Sequence, residues 1–124
     1  MTTVKAFDLD GVIVNDVNSA YALRVSCAPL FNPKSHIITA RPAVDHDLTK
    51  YWASKYLPDC KLWLINNTSA PLDVHDSARL KVEQCRSLGV TLFVESDPLI
   101  TVLIQKLGIN TIHFSTWVEQ NLCM

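Results

Sequence analysis

Apolar residues along this chain gather in short, nearly continuous runs. Five of these runs are rich in β-branched or aromatic residues, which is the composition typical of strands. They cover residues 4–9, 37–40, 62–65, 90–94 and 111–114. Because continuous apolar runs suit strands that are buried on both faces, they predict a parallel sheet of about five strands.

Segments in which apolar residues recur at helical spacing lie between most of these runs. Three helices are predicted, each with a residue that suits one of its ends. They run over residues 44–57 with Pro58 as a stop, from Ser77 to Leu88 with a cap at Asp76 or Ser77 and with Gly89 at the end, and from Pro98 to Leu107 with Gly108 after it. This alternation predicts an α/β fold: a three-layer, doubly wound, Rossmann-like sheet with helices on both faces.

Two segments lack a clear periodicity. Residues 12–35 are compatible either with a small hairpin, formed by residues 12–14 and 23–25, or with a helix over residues 18–27. Residues 66–74 predict a loop, since they are mostly polar and contain Pro71. No shift in composition marks a boundary, so residues 1–124 are expected to form a single domain.

Charge and cysteine content narrow the function classes. A formal net charge of −1, with both signs mixed, argues against strong sequence-independent binding to nucleic acid. The four cysteines include no Cys-x-x-Cys pair and, with four scattered histidines, form no zinc signature. Neither a signal peptide nor an apolar run approaching the roughly 20 residues that span a bilayer is visible. We therefore expect a soluble, cytoplasmic protein with free thiols and no membrane partner.

Two carboxylates follow the first predicted strand with one residue between them. Side chains alternate along a strand, so Asp8 and Asp10 lean the same way while Leu9 points to the other face. Like charges this close repel each other unless a cation or a shared proton lies between them. The pair predicts a metal-bound carboxylate site, although Asp10-Gly11 also has the composition of a hairpin turn.

Further polar residues lie at the ends of the other predicted strands. They are Thr39 and Arg41 after the second strand, Lys81 in the first turn or so of the helix before the fourth, and Glu95, Ser96 and Asp97 after the fourth. Because the carboxyl ends of parallel strands meet at one edge of the sheet, we expect these residues to lie close to the first two carboxylates.

These residues form four short motifs in a fixed order. The motifs are Phe7-Asp8-Leu9-Asp10-Gly11-Val12, Ile37-Ile38-Thr39-Ala40-Arg41-Pro42, Lys81 within Arg79-Leu80-Lys81-Val82-Glu83, and Phe93-Val94-Glu95-Ser96-Asp97-Pro98. In these motifs the chain resembles the haloacid dehalogenase-like (HAD) superfamily of phosphatases and phosphotransferases, over residues 4–114. It departs from the family pattern where Ser96 separates Glu95 from Asp97, since the family more often has Asp at this point.

The resemblance implies a role for each motif residue. Asp8 would be the nucleophile that forms an aspartyl-phosphate, and Asp10 the general acid and base. Mg²⁺ would be the cofactor, held by Asp8, the carbonyl of Asp10 and an acid after the fourth strand. Phosphoryl oxygens would be bound by a second set of side chains and backbone amides, those of Thr39, Lys81, Leu9 and Gly11.

Three assignments have an alternative. Glu95 is the first choice as the fourth-strand metal ligand, because Asp97 before Pro98 is also a good helix N-cap. Arg41 would either grip an anion of the substrate or lie on the surface, as an arginine after a strand often does. Lys81 would otherwise be an ordinary solvated lysine.

The spacing between the motifs leaves no room for a large cap domain. We therefore expect a Mg²⁺-dependent phosphomonoester hydrolase with an open site, which a bulky substrate or a neighbouring subunit of a homo-oligomer would close. Its expected substrates are phosphorylated small molecules such as nucleotides, with phosphorylated nucleic-acid ends and phosphotransfer as lesser alternatives. A second hypothesis is a catalytically weak or inactive regulatory module that binds phosphate or metal, which the altered fourth motif supports.

Overall fold

A computed structural model describes residues 3–14 and 35–122. Its five strands are β1 Lys5–Asp8, β2 His36–Thr39, β3 Lys61–Leu64, β4 Leu92–Glu95 and β5 Thr111–His113. They form one sheet in the order β3-β2-β1-β4-β5, and every neighbouring pair is parallel. The predicted α/β class and the parallel five-stranded sheet are confirmed, and each strand lies within two residues of its predicted bounds.

Alternate side chains of the strands enter two separate hydrophobic clusters. One cluster joins strand residues with side chains of two helices, α1 His46–Tyr56 and α4 Phe114–Leu122, and includes Phe7, Ile37, Val94, Trp52 and Trp117. The other joins the intervening strand residues with α2 Val74–Leu88 and α3 Pro98–Lys106, and includes Ala6, Ile38, Phe93, Val82 and Ile104. Because both faces are buried, the strands are apolar at consecutive positions, as a parallel sheet requires.

Helix α2 begins earlier than predicted. Asp73, and not Asp76 or Ser77, is its N-cap, and the Asp73 carboxylate accepts a hydrogen bond of 2.8 Å from the amide of Asp76. The predicted C-terminal cap is confirmed, since Gly89 has the left-handed φ of +68°. The earlier start moves Lys81 away from the first turn and places it in the middle of the helix, so the sequence prediction was wrong on this point.

Helix α4 was not predicted. It starts directly after β5, and Phe114, which was assigned to the last strand, is its first residue. Trp117 of this helix is buried against the sheet: its ring lies edge-on to that of Phe7 in β1, with the ring centroids 5.3 Å apart. No helix within residues 3–14 and 35–122 has the length and apolarity needed to cross a bilayer.

The two segments without periodicity have different outcomes. Residues 12–14 form a compact turn in which the amides of Ile13 and Val14 donate to the carbonyl of Leu9, at 2.9 and 3.0 Å. The rest of the hairpin-or-helix question falls on residues 15–34, outside the described residues. The predicted loop is present from Ile65 to Asp73.

Candidate active site

Most of the predicted site residues meet at the carboxyl edge of the sheet, in a pocket of about 500 Å³, but Thr39 and Leu9 do not line it. Strands β1, β2 and β4 are adjacent and parallel, so the segments that follow them open on the same edge. Residues from all four motifs line the pocket: Asp8, Asp10, Gly11, Arg41, Lys81, Glu95, Ser96 and Asp97. The convergence expected from the sequence is therefore observed.

Three ionisable side chains form a buried cluster at the base of the pocket. The Lys81 ammonium lies 2.6 Å from Oε1 of Glu95 and 3.4 Å from Oδ1 of Asp8. The side chains of Lys81, Glu95 and Asp8 are only 4%, 1% and 8% exposed. One ammonium therefore serves two carboxylates, which leaves the buried cluster with an excess negative charge when both are ionised.

The surroundings shift the pKa values of the two carboxyl groups in opposite directions. Burial, followed by the charge of Glu95, raises the pKa of Asp8 well above its usual value, and Lys81 only partly opposes this. Burial also acts to raise the pKa of Glu95, but the close Lys81 ammonium outweighs it, so this pKa lies below its usual value. For Lys81 burial favours the neutral amine, and the two carboxylates overcome that effect and raise its pKa. A cation close to Asp8 would favour the ionised form of that carboxyl.

Lys81 reaches this cluster from the middle of α2. Its neighbours in the helix, Ala78, Val82 and Cys85, pack in the second hydrophobic cluster, so one face of α2 lies against the sheet. Lys81 is on this buried face, and its ammonium also lies 5.9 Å from the ring centre of Phe93. A solvated lysine is thereby ruled out, because the side chain is enclosed by carboxylates and an aromatic ring.

Ser96 joins the loops that follow β1 and β4. Its hydroxyl lies 2.8 Å from the carbonyl oxygen of Asp10, 3.0 Å from Oδ2 of Asp8 and 3.4 Å from Oε2 of Glu95. A single hydroxyl proton cannot satisfy three acceptors. Oxygen acceptors thus outnumber protons at this point, an arrangement suited to a cation that prefers oxygen ligands.

Gly11 is required for this approach of the two loops. Its φ of +80° is in the left-handed region, and a Cβ atom built on it would lie 2.7 Å from Cβ of Ser96. Any larger residue would push the Ser96 hydroxyl away from Asp8.

Asp10 forms an ion pair with Arg41. Nε of Arg41 lies 3.1 and 2.9 Å from the two carboxylate oxygens of Asp10, and an Nη atom makes a further close contact. Arg41 is buried, at 8% exposure, so the alternative of a surface arginine is wrong. The guanidinium fixes the position of the Asp10 carboxylate at the wall of the pocket.

The predicted phosphate-binding groups have partners within the protein. The Thr39 hydroxyl is buried and accepts a hydrogen bond of 3.2 Å from the amide of Arg41. The Leu9 amide donates to Oδ1 of Asp8 at 2.9 Å, and the Gly11 amide donates to the carbonyl of Val14 at 3.0 Å. Their role in binding phosphate stays a prediction.

The two acids after β4 are held differently. Oε2 of Glu95 accepts from the amides of Ser96 and Asp97, at 2.8 and 3.0 Å, which fixes it beside Lys81. The Asp97 carboxylate accepts from the amides of Leu99 and Ile100, so the N-cap interpretation of Asp97 is confirmed. Glu95 is therefore the acid whose position suits the cluster, while Asp97 lies at the rim of the pocket.

Three residues that shape the site had no role predicted from the sequence. Ser96 was expected near the first two carboxylates but was given no role, although a hydroxyl between two acids could have suggested a bridging donor. His113 on β5 holds the same loop through Nε2, which lies 2.8 Å from the carbonyl oxygen of Ser96. Asn66 is fully buried and bonds to Ala40, Thr68 and Ala70, which fixes the wall after β3.

The residues present fit a hard divalent cation. Within residues 3–14 and 35–122, no three His, Cys, Asp or Glu side chains are arranged as a metal-binding group. Mg²⁺, however, is usually held by one or two carboxylates, with waters and substrate oxygens in its other positions. Two carboxylates and one carbonyl oxygen around Ser96 are such a donor set.

Comparisons of the chain with protein-family models, with curated proteins and with solved structures found no match.

Proposed function

We propose that this chain is a Mg²⁺-dependent phosphomonoester hydrolase with a doubly wound core of the HAD type. The observation that carries the proposal is the buried cluster of Asp8, Lys81 and Glu95 at the carboxyl edge of β1 and β4. Burying two carboxylates with a single ammonium costs free energy unless a further cation is bound beside them. Such an arrangement in a pocket is therefore typical of a functional site. Phosphoryl transfer through an aspartate would use these charges, with Asp8 as the nucleophile and Lys81 beside the phosphoryl oxygens.

In the first step Asp8 attacks the phosphorus atom and the bond from phosphorus to the ester oxygen breaks. A proton from the Asp10 carboxyl goes to the leaving oxygen, and the phosphoryl group stays on Asp8 as an aspartyl-phosphate. In the second step water attacks this phosphorus, Asp10 takes a proton from the water, and phosphate leaves with the Asp8 carboxylate restored. Lys81 lies close enough to Asp8 to contact oxygens of the bound phosphoryl group.

The residues that would hold Mg²⁺ are Asp8, the Asp10 carbonyl and Glu95. When bound, the ion would keep Asp8 in its charged form and offset the negative charge of the phosphoryl oxygens. Arg41 would hold the Asp10 carboxylate in place between the steps, because it contacts both of its oxygens.

The test is phosphate release from 4-nitrophenyl phosphate with Mg²⁺, with EDTA, and by two asparagine variants. Asp8→Asn keeps the size of the side chain but removes the nucleophile, so activity should fall by at least about a thousandfold. The matched control is Asp47→Asn, an exposed aspartate of α1. Full activity of Asp8→Asn would refute the nucleophile assignment.

A second candidate function is a regulatory module that binds phosphate or metal without turnover. The ion pair of Arg41 with both oxygens of Asp10 favours it, since a group that shuttles protons has to leave such a pair. Calorimetry with inorganic phosphate and Mg²⁺ separates the two functions. Saturable binding with no turnover across a panel of phosphate esters would support the module.

A further inference from the structure

The wall of the pocket above the buried cluster is apolar. It consists of Ala40, Pro42, Pro71, Leu72, Val74 and Ile100. Part of this wall belongs to the loop between β3 and α2, which the Asn66 side chain holds through bonds of 3.2 Å to the carbonyl of Ala40 and 2.9 Å to that of Ala70. The Thr68 carbonyl accepts from the amide of Ala43 at 2.8 Å, which ties the loop to the short 3-10 turn that precedes α1. The wall is thus already formed before a ligand arrives.

The charged groups of the pocket are mostly negative. Its lining includes five carboxylates, those of Asp8, Asp10, Asp45, Glu95 and Asp97, and two cations, Arg41 and Lys81. Each of these cations already contacts a carboxylate of the pocket: Arg41 pairs with Asp10, and Lys81 with Glu95 and Asp8. One phosphoryl group with a divalent cation can be accommodated at the base. A second anionic group on the substrate would face Asp45 and Asp97 at the rim, and among residues 3–14 and 35–122 the pocket lining offers no further cation to balance it.

We infer that the substrates are phosphate monoesters with a single phosphoryl group and a leaving group that carries no negative charge and has a face that can pack on the apolar wall. This inference rests on the proposed function and names its substrate class. Nucleoside monophosphates fall inside the class, because the leaving nucleoside is uncharged. Nucleoside diphosphates and phosphorylated strand ends fall outside it, because their leaving portions carry further negative charge.

Two aryl phosphates of similar size test the inference. In 4-ethylphenyl phosphate the substituent is uncharged, whereas in 4-(carboxymethyl)phenyl phosphate a carboxylate is separated from the ring by one methylene group. The carboxylate of the second substrate would lie close to the unbalanced carboxylates of the rim. Their repulsion should lower kcat/KM by about tenfold relative to 4-ethylphenyl phosphate. AMP should likewise be hydrolysed faster than a 5′-phosphorylated oligonucleotide.

Asp45→Asn tests the origin of the preference. The Asp45 carboxylate makes no cap bond to α1, so its removal changes the charge of the rim and leaves the helix end intact. Asp45→Asn should reduce the preference for 4-ethylphenyl phosphate by about threefold, whereas the control Asp47→Asn should leave this preference unchanged. High salt should also reduce it.

The outcomes are distinguishable. No phosphate release from any ester, 4-nitrophenyl phosphate included, would overturn the proposed function and this inference together. Release with equal kcat/KM for both aryl esters, or a preference for the oligonucleotide, would overturn the inference alone and leave the hydrolase in place. A preference that Asp45→Asn and Asp47→Asn alter equally would refute the role of the rim charge.

Discussion

Replacing Lys81 by methionine should expose the energetic role of the buried cluster. The substitution keeps most of the length and volume of the side chain, which becomes one atom shorter, and removes its charge. Asp8 and Glu95 would then lie side by side with no ammonium, in surroundings where their side chains are 8% and 1% exposed. The substitution removes the ion pairs of Lys81 with both of these carboxylates at once.

The expected loss in the free energy of unfolding is about 4 kcal/mol at pH 7.5. Removing one partner of a buried ion pair costs about 3–5 kcal/mol, because the remaining charge is left without compensation. Single domains of this size have about 5–15 kcal/mol of stability in total, so the variant should be close to its limit. Replacing Glu95 by glutamine as well should restore part of the loss, since the double variant buries one charge fewer.

Urea denaturation followed by tryptophan fluorescence measures both variants, with Lys50→Met, an exposed lysine of α1, as the control. The deficit of Lys81→Met should shrink as the pH falls towards 5. Without the ammonium the folded-state pKa values of the two buried carboxyl groups rise, so the folded variant takes up protons that the unfolded chain does not, and acid stabilises it. In the wild type the contribution of Glu95 has the opposite dependence: its pKa is lowered, so this contribution is present at neutral pH and is lost as the pH falls through that lowered value.

The reasoning would be refuted if Lys81→Met were as stable as Lys50→Met at pH 7.5. Such a result would mean that the ammonium is solvated and that the two carboxyl groups are not both charged beside it. A deficit that stays constant from pH 5 to 8 would equally contradict a charge-based origin and indicate a packing defect.

Four further substitutions are expected to lower stability in urea denaturation. Gly11→Ala should cost about 2–4 kcal/mol, because the φ of +80° and a Cβ contact of 2.7 Å with Ser96 both oppose a side chain. Its control, Gly89→Ala, should cost about 1–2 kcal/mol, because Gly89 has a φ of +68° but no atom within 4 Å of the added Cβ. Equal losses in the two variants would contradict the contact with Ser96. Asp97→Ala should cost about 1 kcal/mol through the lost helix cap while the asparagine variant stays close to wild type, and a loss in both would point to a role of the charge. Asn66→Ala should cost about 1–3 kcal/mol because buried acceptors lose their donor, and an unchanged midpoint would show that the loop does not depend on it.

The elements that could be predicted are those whose burial is uniform along the chain. The central strands carry apolar residues on both faces, so a run such as residues 90–94 identifies β4 without any knowledge of its neighbours. The start of α2 was missed because Asp73 and Asp76 are both competent caps, and only the bond from the Asp76 amide to Asp73 decides between them. Helix α4 was missed because it follows β5 with no intervening turn residue.

The site was predictable as a location and less so as a set of contacts. Parallel strands bring their carboxyl ends to one edge, which placed Asp8 near Glu95 from the sequence alone. The pairing of Asp10 with Arg41 joins residues 31 positions apart, and no local pattern marks it. The bridging position of Ser96 depends on how closely two loops approach, which is a property of the packed fold.

The position of β1 at the centre of the sheet has a consequence for how the molecule is assembled. One of its two neighbours, β4, is synthesised last but one among the strands, and Ser96 meets Asp8 across 88 positions of the chain. A nascent chain that ends before β4 therefore exposes one edge of its first strand, and high contact order of this kind slows folding. Translation products that stop short of residue 95 lack the Glu95 carboxylate, so Lys81 has only Asp8 left of its two acidic partners.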